Sequence, residues 1–190
     1  HAQYWRDPAV GGWCFSDGVH RWAVSDCTAE ALVGMLAAER AVDANTLPET
    51  ERLSLDRVEA AVRFILSRQN QDGGFGTYEP RRGPSFLETI NPSEMYGSCM
   101  TERSYLECTA SSLRGLAAAR ARHGQHFNTA LSAAVNQAID RGAACLWAAQ
   151  RSDGSWPGFW GINFTYAIFH IVKAMRAIGV PASDPRLQRA

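Results

Sequence analysis

Apolar residues recur every three to four positions through five stretches of the chain, the period of helices with one buried face. Thr28 to Arg40 carries Leu32, Met35 and Leu36, and Leu55 to Arg68 carries Val58, Val62, Ile65 and Leu66. Leu106 to Arg120 carries Leu113 and Leu116 among many alanines, and Ala130 to Gln150 carries Val135, Ile139, Ala143 and Leu146. Phe164 to Ile178 reads as a fifth helix, after which only Gly179 to Ala190 remain. Asp26 and Glu107 stand at the heads of the first and third stretches, where an acid suits the positive end of a helix.

The pattern repeats. Asp26-Cys27-Thr28-Ala29 returns as Glu107-Cys108-Thr109-Ala110, and Gln69-x-x-x-Gly73-x-Phe75 returns as Gln150-x-x-x-Gly154-x-Trp156, both at an offset of 81 residues. Two motifs in one register imply one structural unit used twice. Each glutamine-to-aromatic element follows the second helix of a pair, which its glycine is expected to end and its ring to cap. The expected fold is therefore all-α, an incomplete α/α barrel or toroid built from helix pairs. Gly76 to Arg103 is the longest irregular stretch, with Pro80, Pro84 and Pro92; its aromatic residues Tyr78, Phe86 and Tyr96 argue for an ordered excursion across one mouth of the barrel.

Composition narrows the function more than the fold. The chain has 190 residues, 46% hydrophobic content and equal numbers of acidic and basic residues, 19 of each, so nothing favours nucleic acid or a polybasic membrane contact. No apolar run reaches the ~20 residues of a transmembrane helix. Five cysteines without paired metal spacing read as reduced thiols in a cytoplasmic setting, with no zinc ligand set. The chain opens on His1, and Gly11-Gly12-Trp13 looks like a first element that lacks its helix. Residues 1–190 are thus expected to be an internal piece of a larger barrel domain, inactive and unstable by itself.

Several segments, in order, resemble the oxidosqualene cyclases, the family of lanosterol, cycloartenol and pentacyclic triterpene synthases. They are Phe15-Ser16-Asp17, Trp22-Ala23-Val24-Ser25-Asp26-Cys27-Thr28-Ala29-Glu30, Asp72-Gly73-Gly74-Phe75-Gly76-Thr77-Tyr78-Glu79, Asn91-Pro92-Ser93-Glu94, Tyr105-Leu106-Glu107-Cys108-Thr109, Asp153-Gly154-Ser155-Trp156 and Phe164-Thr165-Tyr166. Squalene-hopene cyclases share the glutamine-to-aromatic elements but carry Asp-x-Asp-Asp-Thr-Ala where this chain has Val-Ser-Asp-Cys-Thr-Ala. An epoxide opens on protonation more readily than an isolated alkene, so the simpler acid motif suits an epoxide.

The resemblance implies an isomerase that cyclises 2,3-oxidosqualene, a small-molecule substrate, with no cofactor and no metal. Asp26 would be the general acid, with Cys27 and Cys108 as weak donors to its carboxyl. Phe15 and Trp160 match cavity positions, where aromatic faces stabilise carbocations. Tyr78 matches a tyrosine near the late-forming rings, paired in the family with a histidine that has no counterpart in this chain. His20 is the type usual in cycloartenol and plant pentacyclic cyclases, whereas Val24 is usual in lanosterol synthases, so the product stays open. The resemblance further implies a monotopic association with the cytoplasmic side of a membrane, through parts of the protein outside these residues. By the residues alone Asp26 could equally be a helix N-cap; Glu107 reads as such a structural cap, and Trp13, Trp147, Trp156, Phe64 and Phe169 as core. A hopene-cyclase-like enzyme, a protein prenyltransferase subunit and a non-catalytic α/α toroid that binds a partner are the competing readings.

Overall fold

The computed structural model describes residues 6–42, 48, 52–81, 83–93, 97, 100–161 and 163–190, the side chain of His20 excepted. Among them are six α-helices: α1 (Ser25–Ala41), α2 (Leu55–Leu66), α3 (Leu106–His123), α4 (Thr129–Ala148), α5 (Thr165–Ala177) and α6 (Pro185–Gln188). The described residues contain no strand, only isolated bridges pairing Cys14 with Ala23 and Phe75 with Gln69 and Tyr105. The fold is all-α.

The helices stand in two rows. α1 packs on α3 and α3 on α5, while α2 and α4 touch each other and back onto the first row. α3 lies in the middle and is buried nearly all round, from Glu107 through Leu113 and again at Gly115, Leu116, Ala117 and Ala119. Its small residues allow that, since a helix surrounded by neighbours cannot carry bulk on every side. α2 instead buries one stripe, Val58, Ala61, Val62 and Ile65, and turns charged residues outward. Leu32, Leu113, Leu116, Val135, Leu146 and Ile171 join these rows into one core, where truncating any leucine to alanine costs about 2–5 kcal/mol.

Ends of helices are satisfied in two different ways. α2 and α4 carry side-chain caps: Ser54 accepts from the Arg57 N–H at 3.4 Å and Asn128 from the Leu131 N–H at 2.9 Å. α1 and α3 begin behind Val24 and Tyr105, which offer no side-chain cap. Each is fastened by a threonine one turn in. Thr28 Oγ1 donates to Val24 O at 2.6 Å and accepts from the Trp13 N–H at 2.8 Å. Thr109 Oγ1 donates to Tyr105 O at 2.7 Å and accepts from the Phe75 N–H at 2.9 Å. The head of each front-row helix is thereby tied to a glycine-aromatic element.

The glutamines of these elements also act alike. Gln69 Nε2 donates to Gly73 O and to Ala138 O of α4, both at 2.9 Å, and Gln150 Nε2 donates to Gly154 O at 2.9 Å and Arg186 O of α6 at 2.8 Å. Gly73 and Gly154 have φ of +90° and +92°, and a Cβ there would lie 2.5 Å from Arg141 O and 2.3 Å from Arg189 O. Only glycine suits both the backbone conformation and the close approach.

The structure corrects two expectations, on the glycine and on Met35, and adds two features. α2 and α4 end at Leu66 and Ala148, so the glycine does not end the helix; it docks the turn on the next helix. α6 was not expected, because four residues hold too little periodicity to show. The excursion after Gly76 contains a 3-10 helix, Ser85–Ile90, while Glu94 and Tyr96 lie outside the described residues. Met35, at helical spacing for the core, is 38% exposed.

Candidate active site

α1 begins at Ser25, three residues earlier than its apolar period suggests, and this places Asp26 inside the first turn rather than at the cap. The turn is fixed from outside: the Ser25 N–H donates to Thr77 O at 2.8 Å and its hydroxyl to Gly76 O at 2.6 Å. The Asp26 carboxyl meets only local backbone: the Cys27 N–H, 2.8 Å from Oδ1, and its own N–H. The thiols of Cys27 and Cys108 lie close enough to its carboxyl to oppose the upward shift. Burial raises the Asp26 pKa above the ordinary carboxylate value, against the opposing pull of these donors. Among the described residues no cation pairs with it.

The thiols are held in their neutral form. Burial and the nearby Asp26 push Cys27 up to about 11, and Cys108, wholly buried, is raised well above its usual value, chiefly by desolvation. Neutral thiols are weak donors, which suits a carboxyl that must hold a proton and then release it. Cys108 has further neighbours: the Thr77 hydroxyl lies 3.6 Å from its sulfur, and the Trp160 side chain is close enough to moderate its raised pKa.

Glu107 occupies the place of Asp26 in the other copy of the motif, and it is not a helix cap. Its buried Oε1 accepts from the Phe159 N–H at 2.6 Å and the Trp160 N–H at 3.0 Å, holding a loop whose two rings pack on Tyr105 with centroids 4.6 and 5.4 Å away. A turn further along the front row is a polar cluster. Glu30 accepts from Arg114 at 2.6 Å and from the Ser111 hydroxyl at 2.8 Å, with His170 Nδ1 4.0 Å away. Burial lowers the His170 pKa.

The structure brings Asp26, Cys27, Cys108 and Trp160 together, with Tyr78 close enough for the Asp26 charge to contribute to its raised pKa, whose main cause is burial. Tyr78 also sits edge-on to Trp22 at 6.1 Å. Phe15 is 75% exposed, on the segment that passes Cys27 through Cys14. Val24, expected among the substrate contacts, is buried at 3% exposure, so its side chain is not presented to a ligand here. His20 closes the 3-10 turn Gly18–His20, and its side chain lies outside the described residues. Of the aromatics expected in the core, Trp156 and Phe64 are buried and Trp13 and Trp147 packed against it, but Phe169 is half exposed on α5. Thr77, Glu102 and the Glu30 cluster were missed, because nothing in their spacing sets them apart from ordinary loop and helix polar residues.

A double row of helices tied together by glutamine-glycine-aromatic turns is the architecture of the all-α terpenoid cyclases. Residues 4–190 match the squalene-hopene cyclase C-terminal domain, and the chain belongs to that family. It is 38% identical to a cycloartenol synthase of Dictyostelium discoideum over 97% of its length, 37% identical to a lanosterol synthase of Mus musculus over 97%, and 38% identical to a lanosterol synthase of Pneumocystis carinii over 92%. The chain spans about a quarter of the length of these relatives, 25%, 24% and 23% respectively.

Proposed function

We propose that this chain is part of the catalytic barrel domain of an oxidosqualene cyclase and carries its initiating acid. The supporting observation is a carboxylic acid, Asp26, at the head of α1, biased toward its neutral form by burial and flanked by two thiols. In this reading Asp26 gives its proton to the epoxide oxygen of 2,3-oxidosqualene. The C–O bond at the more substituted carbon breaks, and the nearest alkene supplies the electron pair that closes the first ring. The cationic charge moves through successive ring closures until a proton leaves, so substrate and product are isomers. Cys27 and Cys108 stabilise the carboxylate left behind, and the faces of Trp160 and Phe15 attract the travelling charge by about 2 kcal/mol or more when desolvated. By the family resemblance Tyr78 would lie near the late-forming rings and the His20 position would bear on the choice of product, whereas the buried Val24 would not meet the substrate.

Substrate and location follow from the same reading. A single aspartic acid with thiol donors suits an epoxide, whereas squalene itself would call for a stronger acid. The substrate partitions into bilayers, so the full-length protein would bind the cytoplasmic face of a membrane by an apolar surface. Among the described helices none is long and apolar enough to cross one. The test is the full-length protein assayed separately with 2,3-oxidosqualene and squalene, beside Asp26→Asn. Cyclic product from the epoxide alone, abolished by the substitution, is the expected result. Comparable turnover of squalene points to the hopene-cyclase reading, and no turnover of either to a non-catalytic toroid.

A further inference from the structure

Asp26 and Glu107 are equivalent at the 81-residue offset, and so are the loops ahead of them: Tyr78 and Glu79 correspond to Phe159 and Trp160. In one copy the acid of the motif holds the loop, Glu107 Oε1 accepting from both backbone N–H groups, of Phe159 and Trp160. By that geometry Asp26 should be consumed in the same way by the N–H groups of Tyr78 and Glu79. It is not. Those two donors go to Oε1 of Glu102, the second at 3.4 Å. Glu102 comes from the far end of the excursion, and it has a φ of +52°, a conformation non-glycine residues enter at a cost and keep only where the surroundings enforce it.

We infer that Glu102 is a positioning residue that substitutes for Asp26 in holding the 77–79 loop, so that the Asp26 carboxyl is spared those donors and stays a proton donor. The physical logic is direct. A carboxylate that accepts several backbone N–H bonds is stabilised in its charged form and becomes a poor acid. One that is spared further backbone donors in a desolvated setting keeps its proton more readily. Glu102 takes the strong donors away and holds the residues next to Thr77, whose carbonyl receives the Ser25 N–H at the head of α1. The inference rests on Asp26 being the acid of the proposed reaction only for its catalytic consequence; the competition for two N–H groups stands by itself.

The experiment compares Glu102→Gly with Glu102→Gln in the full-length protein. Glycine accepts the positive φ freely and removes the carboxyl, whereas glutamine keeps an oxygen for the N–H groups and loses only the charge. Two quantities are read: the pH profile of oxidosqualene cyclisation, and the infrared titration of the protonated Asp26 carboxyl, identified by subtracting Asp26→Asn. Glu102→Gly is expected to free the Tyr78 and Glu79 donors for Asp26 and move both midpoints down by about one pH unit, with Glu102→Gln restoring them. Unmoved or raised midpoints, or an equal shift in both variants, overturn the inference, the last because it would mark a charge effect. Stability gives a second arm: Asp26→Glu added to Glu102→Gly should recover the thermal stability that the shorter Asp26 regains only in part, by rebuilding the Glu107 arrangement, while leaving no cyclase activity. Failure to recover it also overturns the inference. An inactive wild-type protein whose infrared midpoint still shifts would leave the competition intact and refute only the cyclase reading.

Discussion

Asp26 heads α1 and Glu107 heads α3 in two versions of one motif, with the same threonine behind each tying its helix to a glycine-aromatic turn. Their carboxyls nevertheless do different work. Glu107, one methylene longer and 2% exposed, reaches the backbone of the following loop and locks it. Asp26 meets only local backbone, its own N–H and that of Cys27, lies beside two thiols and is pushed toward its protonated form by burial. The difference teaches that a repeat supplies position, while side-chain length and the partners that arrive from elsewhere decide whether the acid is structural or chemically available.

Removing the acid gives the largest effect. Asp26→Asn keeps the shape and removes the transferable proton, so cyclisation by the full-length protein should fall by about 10³-fold or more, read as product per mole of folded enzyme. The fold should gain rather than lose stability at neutral pH. Because folding raises the Asp26 pKa, its contribution is fully present below the unfolded pKa and is lost as pH rises through the folded one. An amide does not titrate, so the stability of Asp26→Asn should depend less on pH over that window.

The other side of the comparison breaks through stability. Glu107→Ala leaves the Phe159 and Trp160 N–H groups without their acceptor and should cost about 2–3 kcal/mol in denaturant unfolding. Glu107→Gln, which retains an acceptor, should lose much less. A larger loss of stability from Asp26→Ala than from Glu107→Ala would contradict the division of roles.

The thiols sharpen the contrast more finely. Cys108→Ala and Cys27→Ala each remove one donor to the carboxylate formed as Asp26 gives up its proton, about 1 kcal/mol and therefore roughly fivefold to tenfold in rate. Both should move the alkaline limb of the pH profile upward, since losing a donor to the charged form raises the acid's pKa further. Smallest are Thr28→Val and Thr109→Val, each expected to cost about 1 kcal/mol of stability by the loss of matching hydrogen bonds. A marked asymmetry between the two threonines would show that the copies differ in more than their acids.

The residues alone determined a good deal. Helical period places α1 to α5 within three residues at either end, because each buries an apolar face and that face must recur every turn. The 81-residue offset pairs Asp26 with Glu107 and Gln69 with Gln150 before any coordinates are known, since equivalent contacts demand equivalent residues. What only the tertiary structure decided is where polar atoms end. Cys108 is 81 residues from Cys27, and it comes to Asp26 only because α3 packs on α1. Glu102 captures the Tyr78 N–H only because the excursion closes on itself, and α6 exists to receive Gln150 and Gly154. Phe169 keeps a helical core period yet remains half exposed on α5. Hydrophobic burial is written into local spacing, whereas hydrogen-bond partners are shared out by whichever segments arrive within about 3 Å, and no period in the chain encodes that arrival.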